Sequence, residues 1–288
     1  MKTVYLFGKE VPVKDVSCSL NGGSSFTIDP YFNLYVRMTD NCQANCSFCA
    51  YHSQNNKKFF VTGLHRVLED LYDQDVCLNK IDFTGGEPSF DLKTLKNSID
   101  LARCYYPEIY ITINTNGFRF KEIMNLDINC VSLSRHHYND KINEEIFKTD
   151  KVPSSKEIAE YCEDEKLHLR CNLIKGYIDS QEEMITYLEK GSLLGVNDFG
   201  FVSLMPLNQY CKDMYIDHPD LCGIPHTKLN YSQSHNNGCN CRNFLHYTEQ
   251  GKIVRLYSRN NNGYSGCENT LVYDIDHLTM GFSGETII

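Results

Sequence analysis

Between residues 31 and 206, short β-like runs alternate with amphipathic helical stretches about six times, and this rhythm constrains the fold more than any other feature. The β-like runs fall at 34–38, 80–84, 109–113, 131–134, 167–174 and 198–205. Between them, 64–73 carries Leu64, Val67, Leu68 and Leu71 at helical spacing, and 92–104, 154–163 and 180–194 read as further helices, the third preceded by Pro153. Repeated strand–helix–strand order predicts parallel βα units, hence an α/β chain whose body, 31–206, is a partial (βα)6 barrel with its chemistry at the C-terminal strand ends. Residues 1–30, with two short β-like runs and the Gly-rich turn Asn21-Gly22-Gly23-Ser24-Ser25, read as a β-rich N-terminal extension. The rhythm stops at Pro206. Residues 207–288 are rich in Asn, Gly, Cys and Tyr, with hairpin-like runs near 244–258 and 270–287, and are expected to form a small irregular cysteine-rich α+β/β appendage.

The first predicted strand of the body feeds the run Asn41-Cys42-Gln43-Ala44-Asn45-Cys46-Ser47-Phe48-Cys49. Three thiols at C-x3-C-x2-C spacing suit a [4Fe-4S] cluster, since soft sulfur ligands select iron–sulfur centres. No fourth cysteine follows at short range, so one iron would remain open to a ligand. A zinc site completed by His52 stands as the alternative. The strand at 80–84 ends in Gly85-Gly86-Glu87-Pro88, whose glycines permit close backbone approach and whose carboxylate offers an acceptor for an ammonium.

Cys42, Cys46 and Cys49, taken with Gly85–Pro88, resemble the signature of the radical S-adenosylmethionine (SAM) superfamily. In that superfamily the open iron chelates the amino and carboxylate groups of SAM, and reductive cleavage yields a 5′-deoxyadenosyl radical. The resemblance implies that Phe48, Gly85, Gly86, Glu87 and Pro88 serve the cofactor. Asn114-Thr115-Asn116-Gly117 is similar to a turn found in the branch that holds the molybdenum-cofactor cyclase and the SPASM peptide maturases, and it makes Asn114 and Asn116 candidates as well. Ser134, Arg170 and Asn172 fall at strand ends where that branch contacts SAM, and 201–206 resembles its sixth-strand ending. Ordinary strand-end hydrogen bonding is the competing reading for Ser134 and Asn172, whereas an Arg fork suits a carboxylate.

Arg135-His136-His137-Tyr138 follows the fourth strand. Arg135 is a candidate substrate contact, and His136 and His137 are candidates for recognition or proton transfer, set against a plain polar loop. Cys222, Cys239, Cys241 and Cys267 form a tail set able to close a second [4Fe-4S] cluster or a structural zinc site. They resemble truncated twitch or SPASM-type extensions, with too few cysteines for the full SPASM pattern. Cys211 would then be spare, either a hydrogen-atom donor or a buried bystander. Cys77, Cys104 and Cys162 are expected to be buried on apolar helical faces.

The chain's 14 cysteines read as metal ligands more than disulfides, in keeping with a cytoplasmic protein. A net charge of −9 argues against nucleic acid as a partner, and no apolar stretch is long enough to cross a membrane. The resemblance implies an enzyme fed by a flavodoxin- or ferredoxin-type electron donor. The substrate leans to a ribosomal peptide, although the first 30 residues are too short for a leader-binding domain. A small metabolite or nucleotide is the alternative within the superfamily, and a zinc-binding interaction protein the alternative outside it.

Overall fold

The computed structural model describes residues 2–13, 31–49, 59–161, 165–217, 227–228, 242–248, 251–258, 269–281 and 286–288. The expected alternation is present. It runs β3 (Phe32–Arg37), α1 (Val61–Asp73), β4 (Leu78–Thr84), α2 (Leu92–Tyr105), β5 (Tyr110–Thr115), α3 (Phe120–Met124), β6 (Cys130–Ser134), α4 (Asp140–Phe147), α5 (Ser155–Ala159), β7 (Leu167–Leu173), α6 (Gln181–Leu193) and β8 (Asp198–Ser203). A separate antiparallel hairpin, β1 (Lys2–Leu6) with β2 (Lys9–Val13), precedes it. After it come α7 (Gln209–Asp213), β9 (Thr227–Lys228), β10 (Arg242–Thr248), β11 (Ile253–Ser258), β12 (Thr270–Asp274) and β13 (His277–Met280).

Helix starts follow from local chemistry. Asp91, Asn139 and Ser180 each cap a helix through their side chains, and Ser154 with Glu157 forms a full capping box at α5. Leu64, Val67, Leu68 and Leu71 are the buried stripe of α1, as their spacing requires. Along the strands one set of alternate residues is apolar and packs under the helices: Ile81 and Phe83, Ile111 and Ile113, Val131 and Leu133. The opposite set faces the lumen. Cys77 and Cys104 correct the expectation of burial, because both are exposed; Cys162 lies outside the described residues.

The sheet has eleven strands in the order β13-β12-β3-β4-β5-β6-β7-β8-β11-β10-β9. The six strands of the body are parallel and neighbours in chain order, the partial barrel expected from the sequence. Strands from beyond residue 207, expected in an appendage, extend this same sheet at both edges. β11 lies parallel to β8, and β12 lies parallel to β3. No helix among the described residues is long and apolar enough to cross a membrane.

Candidate active site

Three loops meet at the C-terminal ends of β3, β4 and β5. The first carries Cys42, Cys46 and Cys49; Cys46 is buried and the other two are half-buried, all as free thiols. Cys49 N donates to Cys46 O at 3.1 Å, and Asn45 N donates to Phe147 O at 3.0 Å, which ties the loop to α4. Cys42 Sγ accepts from Ala44 N at 3.4 Å and from Asn116 Nδ2 at 3.3 Å. Burial pushes the Cys42 thiol up to about 11 and the Cys46 thiol up to about 12, and the neighbouring sulfurs add to both shifts. Three thiolates can crowd here only against strong positive charge, so the donor set fits an iron–sulfur centre.

The second loop follows β4 and is laced to the residues just before Cys42. Gly86 N donates to Thr39 O at 2.6 Å and Glu87 N to Asn41 O at 2.8 Å. A Cβ on Gly86 would sit 2.3 Å from Asn41 O, and one on Gly85, which has φ +150°, would sit 2.6 Å from Thr39 O. The glycines therefore admit the cysteine loop itself at backbone contact. Glu87 is fully buried. Its Oε1 accepts from Ser89 N (3.0 Å), Ser89 Oγ (2.6 Å) and Thr115 Oγ1 (2.7 Å), and its Oε2 accepts from Asn116 N (2.8 Å). Burial pushes its pKa up against these four donors. The carboxylate is sealed in this structure and holds the third loop, 115–117. Pro88 opens the 3-10 turn Pro88–Asp91 that Glu87 caps. Asn116 completes the link, since its Oδ1 also accepts from Gln43 Nε2 at 2.7 Å.

The loop after β6 divides by direction. His136 turns toward the cysteine loop, edge-on to Phe48 at 4.9 Å and stacked on Phe147 at 4.8 Å. Its Nδ1 accepts from Asn172 N at 3.0 Å, and burial, helped by the Arg170 charge, pushes its pKa down to about 3. It is thus a neutral wall of the site, with its one ring proton on Nε2 because Nδ1 accepts. Arg135 turns the other way and is buried, donating to Pro153 O (3.2 Å), Tyr138 O (3.0 Å), Asp140 Oδ1 (2.5 Å) and Ser155 Oγ (2.9 Å). The Arg135 guanidinium thus joins the β6 loop to the starts of α4 and α5. His137 is also buried, its Nδ1 accepting from Asn139 N at 2.9 Å, which makes it a turn-holder. Under the cysteine loop, Asn208 Nδ2 donates to Ser47 O at 3.0 Å and its Oδ1 caps α7 at Cys211 N. Cys211 is 1% exposed and its thiol donates to Phe48 O at 3.4 Å, so it supports the loop from below.

A family model described as the radical SAM superfamily matches residues 36–188, just over half of the chain. The chain belongs to the radical SAM superfamily. Membership implies a [4Fe-4S] cluster and SAM, and the donor set of Cys42, Cys46 and Cys49 fits the cluster. Curated relatives include an uncharacterized protein of Methanocaldococcus jannaschii, 28% identical over 39% of this chain and 42% of its own length. A probable GTP 3′,8-cyclase of Saccharolobus islandicus is 22% identical over 67% of this chain and 63% of its own. The chain thus spans less than two thirds of either relative. Among solved structures, Streptococcus suis SuiB bound to precursor peptide SuiA matches with TM-score 0.52 and 17% identity, over 63% of this chain and 41% of that one. SuiB bound to SAM matches with TM-score 0.51 and 18% identity, over 63% and 43%. At these identities the likeness is one of fold.

In this radical SAM barrel the remaining predicted residues gather at the lumen. Asn114 and Arg170 line it, joined by a 3.4 Å bond from Arg170 Nη1 to Asn114 Oδ1. Ser134 ends β6 in register with Arg170, and Asn172 lies at the upper end of β7; both are half-buried. Cys222, Cys239, Cys241, Cys267 and His52 lie outside the described residues. Sequence reasoning missed the lower lumen. Lys80 pairs with Asp82 at 2.8 Å, while His168 Nδ1 and Arg255 both meet Asp198, at 2.8 and 2.9 Å. The signal was available as parity: Lys80 and Asp82, His168 and Arg170, and Arg255 and Tyr257 each occupy alternate positions of otherwise apolar strands.

Proposed function

We propose that this chain reductively cleaves SAM at a [4Fe-4S] cluster held by Cys42, Cys46 and Cys49 and uses the 5′-deoxyadenosyl radical to abstract a hydrogen atom from an organic substrate. The observation that carries this reading is the unbroken network Glu87–Asn116–Cys42, which joins three sequence motifs into one hydrogen-bonded unit. Ala44 N–H and Asn116 Nδ2–H would stabilise charge on the Cys42 sulfur. Phe48 and neutral His136 wall the cluster loop and keep water from that side. Asn114, Ser134, Arg170 and Asn172 stand where polar groups of SAM and substrate would be met, Arg170 offering a fork to a carboxylate.

A ribosomal peptide is the substrate class we favour; the probable GTP 3′,8-cyclases among the relatives make a nucleotide the second reading. Cys222, Cys239, Cys241 and Cys267 would hold a second cluster, so reconstituted protein should carry about eight iron atoms rather than about four. A flavodoxin or ferredoxin would supply the electron. The test is anaerobic reconstitution followed by dithionite and SAM: 5′-deoxyadenosine should form, and alanine at Cys42, Cys46 or Cys49 should abolish it. Cys211→Ala should retain it, because that thiol serves the loop. If fully reconstituted protein never releases 5′-deoxyadenosine, the reading fails.

A further inference from the structure

Two side-chain amides stand between the cysteine loop and the third loop, and they face each other head to tail. Gln43 Nε2 donates to Asn116 Oδ1 at 2.7 Å, and Asn116 Nδ2 reaches back to Gln43 Oε1 at 3.5 Å. A primary amide offers an oxygen on one side and an NH2 on the other, so turning it over reverses what each neighbour meets. Backbone groups prevent that reversal here. Phe118 N–H, which can only donate, points at Asn116 Oδ1 from 3.1 Å. Lys151 C=O, which can only accept, receives Gln43 Nε2 at 3.2 Å.

These two contacts leave one arrangement of the pair. With Asn116 turned over, its NH2 would face both Phe118 N–H and the Gln43 NH2. With Gln43 turned over, its oxygen would face both Lys151 O and Asn116 Oδ1. Asn116 is buried, so water is a poor substitute for a lost partner. In the arrangement that remains, one Asn116 Nδ2 hydrogen serves Gln43 Oε1 and the other serves Cys42 Sγ, 3.3 Å away. Gln43 meets that sulfur itself only through Oε1, which the Cys42 thiol reaches at 3.8 Å. A sulfur bound to iron has no proton to give, so the service of Gln43 to Cys42 passes through Asn116. We propose that Gln43 is a positioning residue: braced on Lys151 O, it keeps the Asn116 donor on Cys42 Sγ and so holds the cluster's reduction potential up. Reduction adds negative charge to the cluster and its sulfurs, and an N–H aimed at a sulfur stabilises that charge.

This rests on the iron–sulfur reading of Cys42, Cys46 and Cys49, and redox titration separates the two. The anaerobically reconstituted full chain is titrated with detection of the reduced cluster by electron paramagnetic resonance. The signal followed is the one missing from the Cys46→Ala protein. Gln43→Met keeps the length of the side chain and removes the amide. Its potential should fall between those of wild type and Asn116→Ala, because Phe118 N–H still steadies Asn116 Oδ1. The double variant should stay at the Asn116→Ala value, since Gln43 has nothing left to position. Iron content should match wild type throughout, with circular dichroism confirming the fold, and Gln43→Leu is the second replacement should Gln43→Met misfold. An unchanged potential in the Gln43 variant, or a double variant lowered by the full sum of the single shifts, would overturn the proposal. So would loss of iron from both replacements, because Gln43 would then hold the loop and not aim Asn116. A wild-type chain without any Cys46-dependent signal fails the iron–sulfur reading itself and takes the proposal with it.

Discussion

Replacing Glu87 by Gln tests whether the Gly-Gly-Glu-Pro segment contacts a ligand or holds the loops together. The carboxylate is fully buried and receives four donors. A Gln oxygen can take the Oε1 position and keep Ser89 N, Ser89 Oγ and Thr115 Oγ1 as donors. Its amide nitrogen then faces Asn116 N–H, donor against donor. The other orientation is worse, since an NH2 would face three donors. In the better one, one charge-assisted bond is lost and two N–H groups are buried without acceptors, at about 1–3 kcal/mol for each unsatisfied group. Relief of the carboxylate's own desolvation offsets part of this, leaving a destabilisation of about 2–4 kcal/mol. Urea unfolding of wild type and Glu87→Gln at pH 7 measures it. Thr115→Val should cost about 1 kcal/mol in the wild-type and in the Glu87→Gln background alike, because the Gln oxygen keeps the Thr115 bond and the two changes are then close to additive. Iron retention should fall with stability, since Asn116 N is the group released and Asn116 Nδ2 reaches Cys42. A Glu87→Gln protein within about 0.5 kcal/mol of wild type would show that the carboxylate does not hold the third loop, and the network argument would collapse.

Asn116→Ala removes the donor on Cys42 Sγ and the acceptor for Gln43, so a redox titration should find a cluster potential lower than in wild type. His136 is buried neutral with its pKa near 3, against 6.5 in the unfolded chain. Its contribution is therefore intact above pH 6.5 and is lost as pH falls toward about 3, at about 1.4 kcal/mol per pH unit. Unfolding at pH 7 and pH 5 should show the metal-free wild type losing about 2 kcal/mol relative to His136→Gln, whose side-chain oxygen can still accept from Asn172 N. Arg135→Met should lower stability by about 2–4 kcal/mol while leaving SAM affinity within about threefold, because the guanidinium joins Pro153, Asp140 and Ser155. A raised KM at unchanged urea midpoint would restore the substrate role.

The six body strands were legible because each is a short apolar run bounded by turn residues, and their ends in the structure lie within a residue or two of those read from the sequence. α4 was missed because its start depends on Asn139, whose side chain accepts from Lys141 N and Ile142 N, and an Asn before a charged stretch looks like a turn. The cysteine motif was legible from spacing alone, whereas the work of its neighbours was not. Glu87 reads as a ligand contact because a carboxylate beside glycines offers an acceptor, and only the fold reveals that Ser89, Thr115 and Asn116 have already filled it. Arg135 and His136 are adjacent in the chain yet face opposite ways, and sequence parity predicts that they diverge without saying which one meets Phe48. The lumen charges were readable by parity, but their convergence depends on β11, and a parallel pairing with β8 leaves no local signal.

That dependence bears on the boundary at residue 206. A chain ending there would keep all six body strands and all three cysteines, and on rhythm alone it should fold. The structure argues otherwise at both edges. β8 would lose β11, and β3 would lose β12, leaving two parallel edge strands with unpaired backbone groups. The Arg37–Asp274 ion pair (2.9 Å) would go with β12. So would Arg255, leaving Asp198 with His168, a half-buried carboxylate whose loss of a charged partner costs about 1–3 kcal/mol. At the rim, the cysteine loop would lose the Asn208 bond to Ser47 O and the seat that Cys211 provides. Residues 1–206 expressed alone should therefore aggregate or unfold, and should bind no iron after reconstitution. Size-exclusion chromatography and iron analysis decide the matter: a monomeric 1–206 fragment that takes up a cluster would mean that the C-terminal strands cover a barrel already complete.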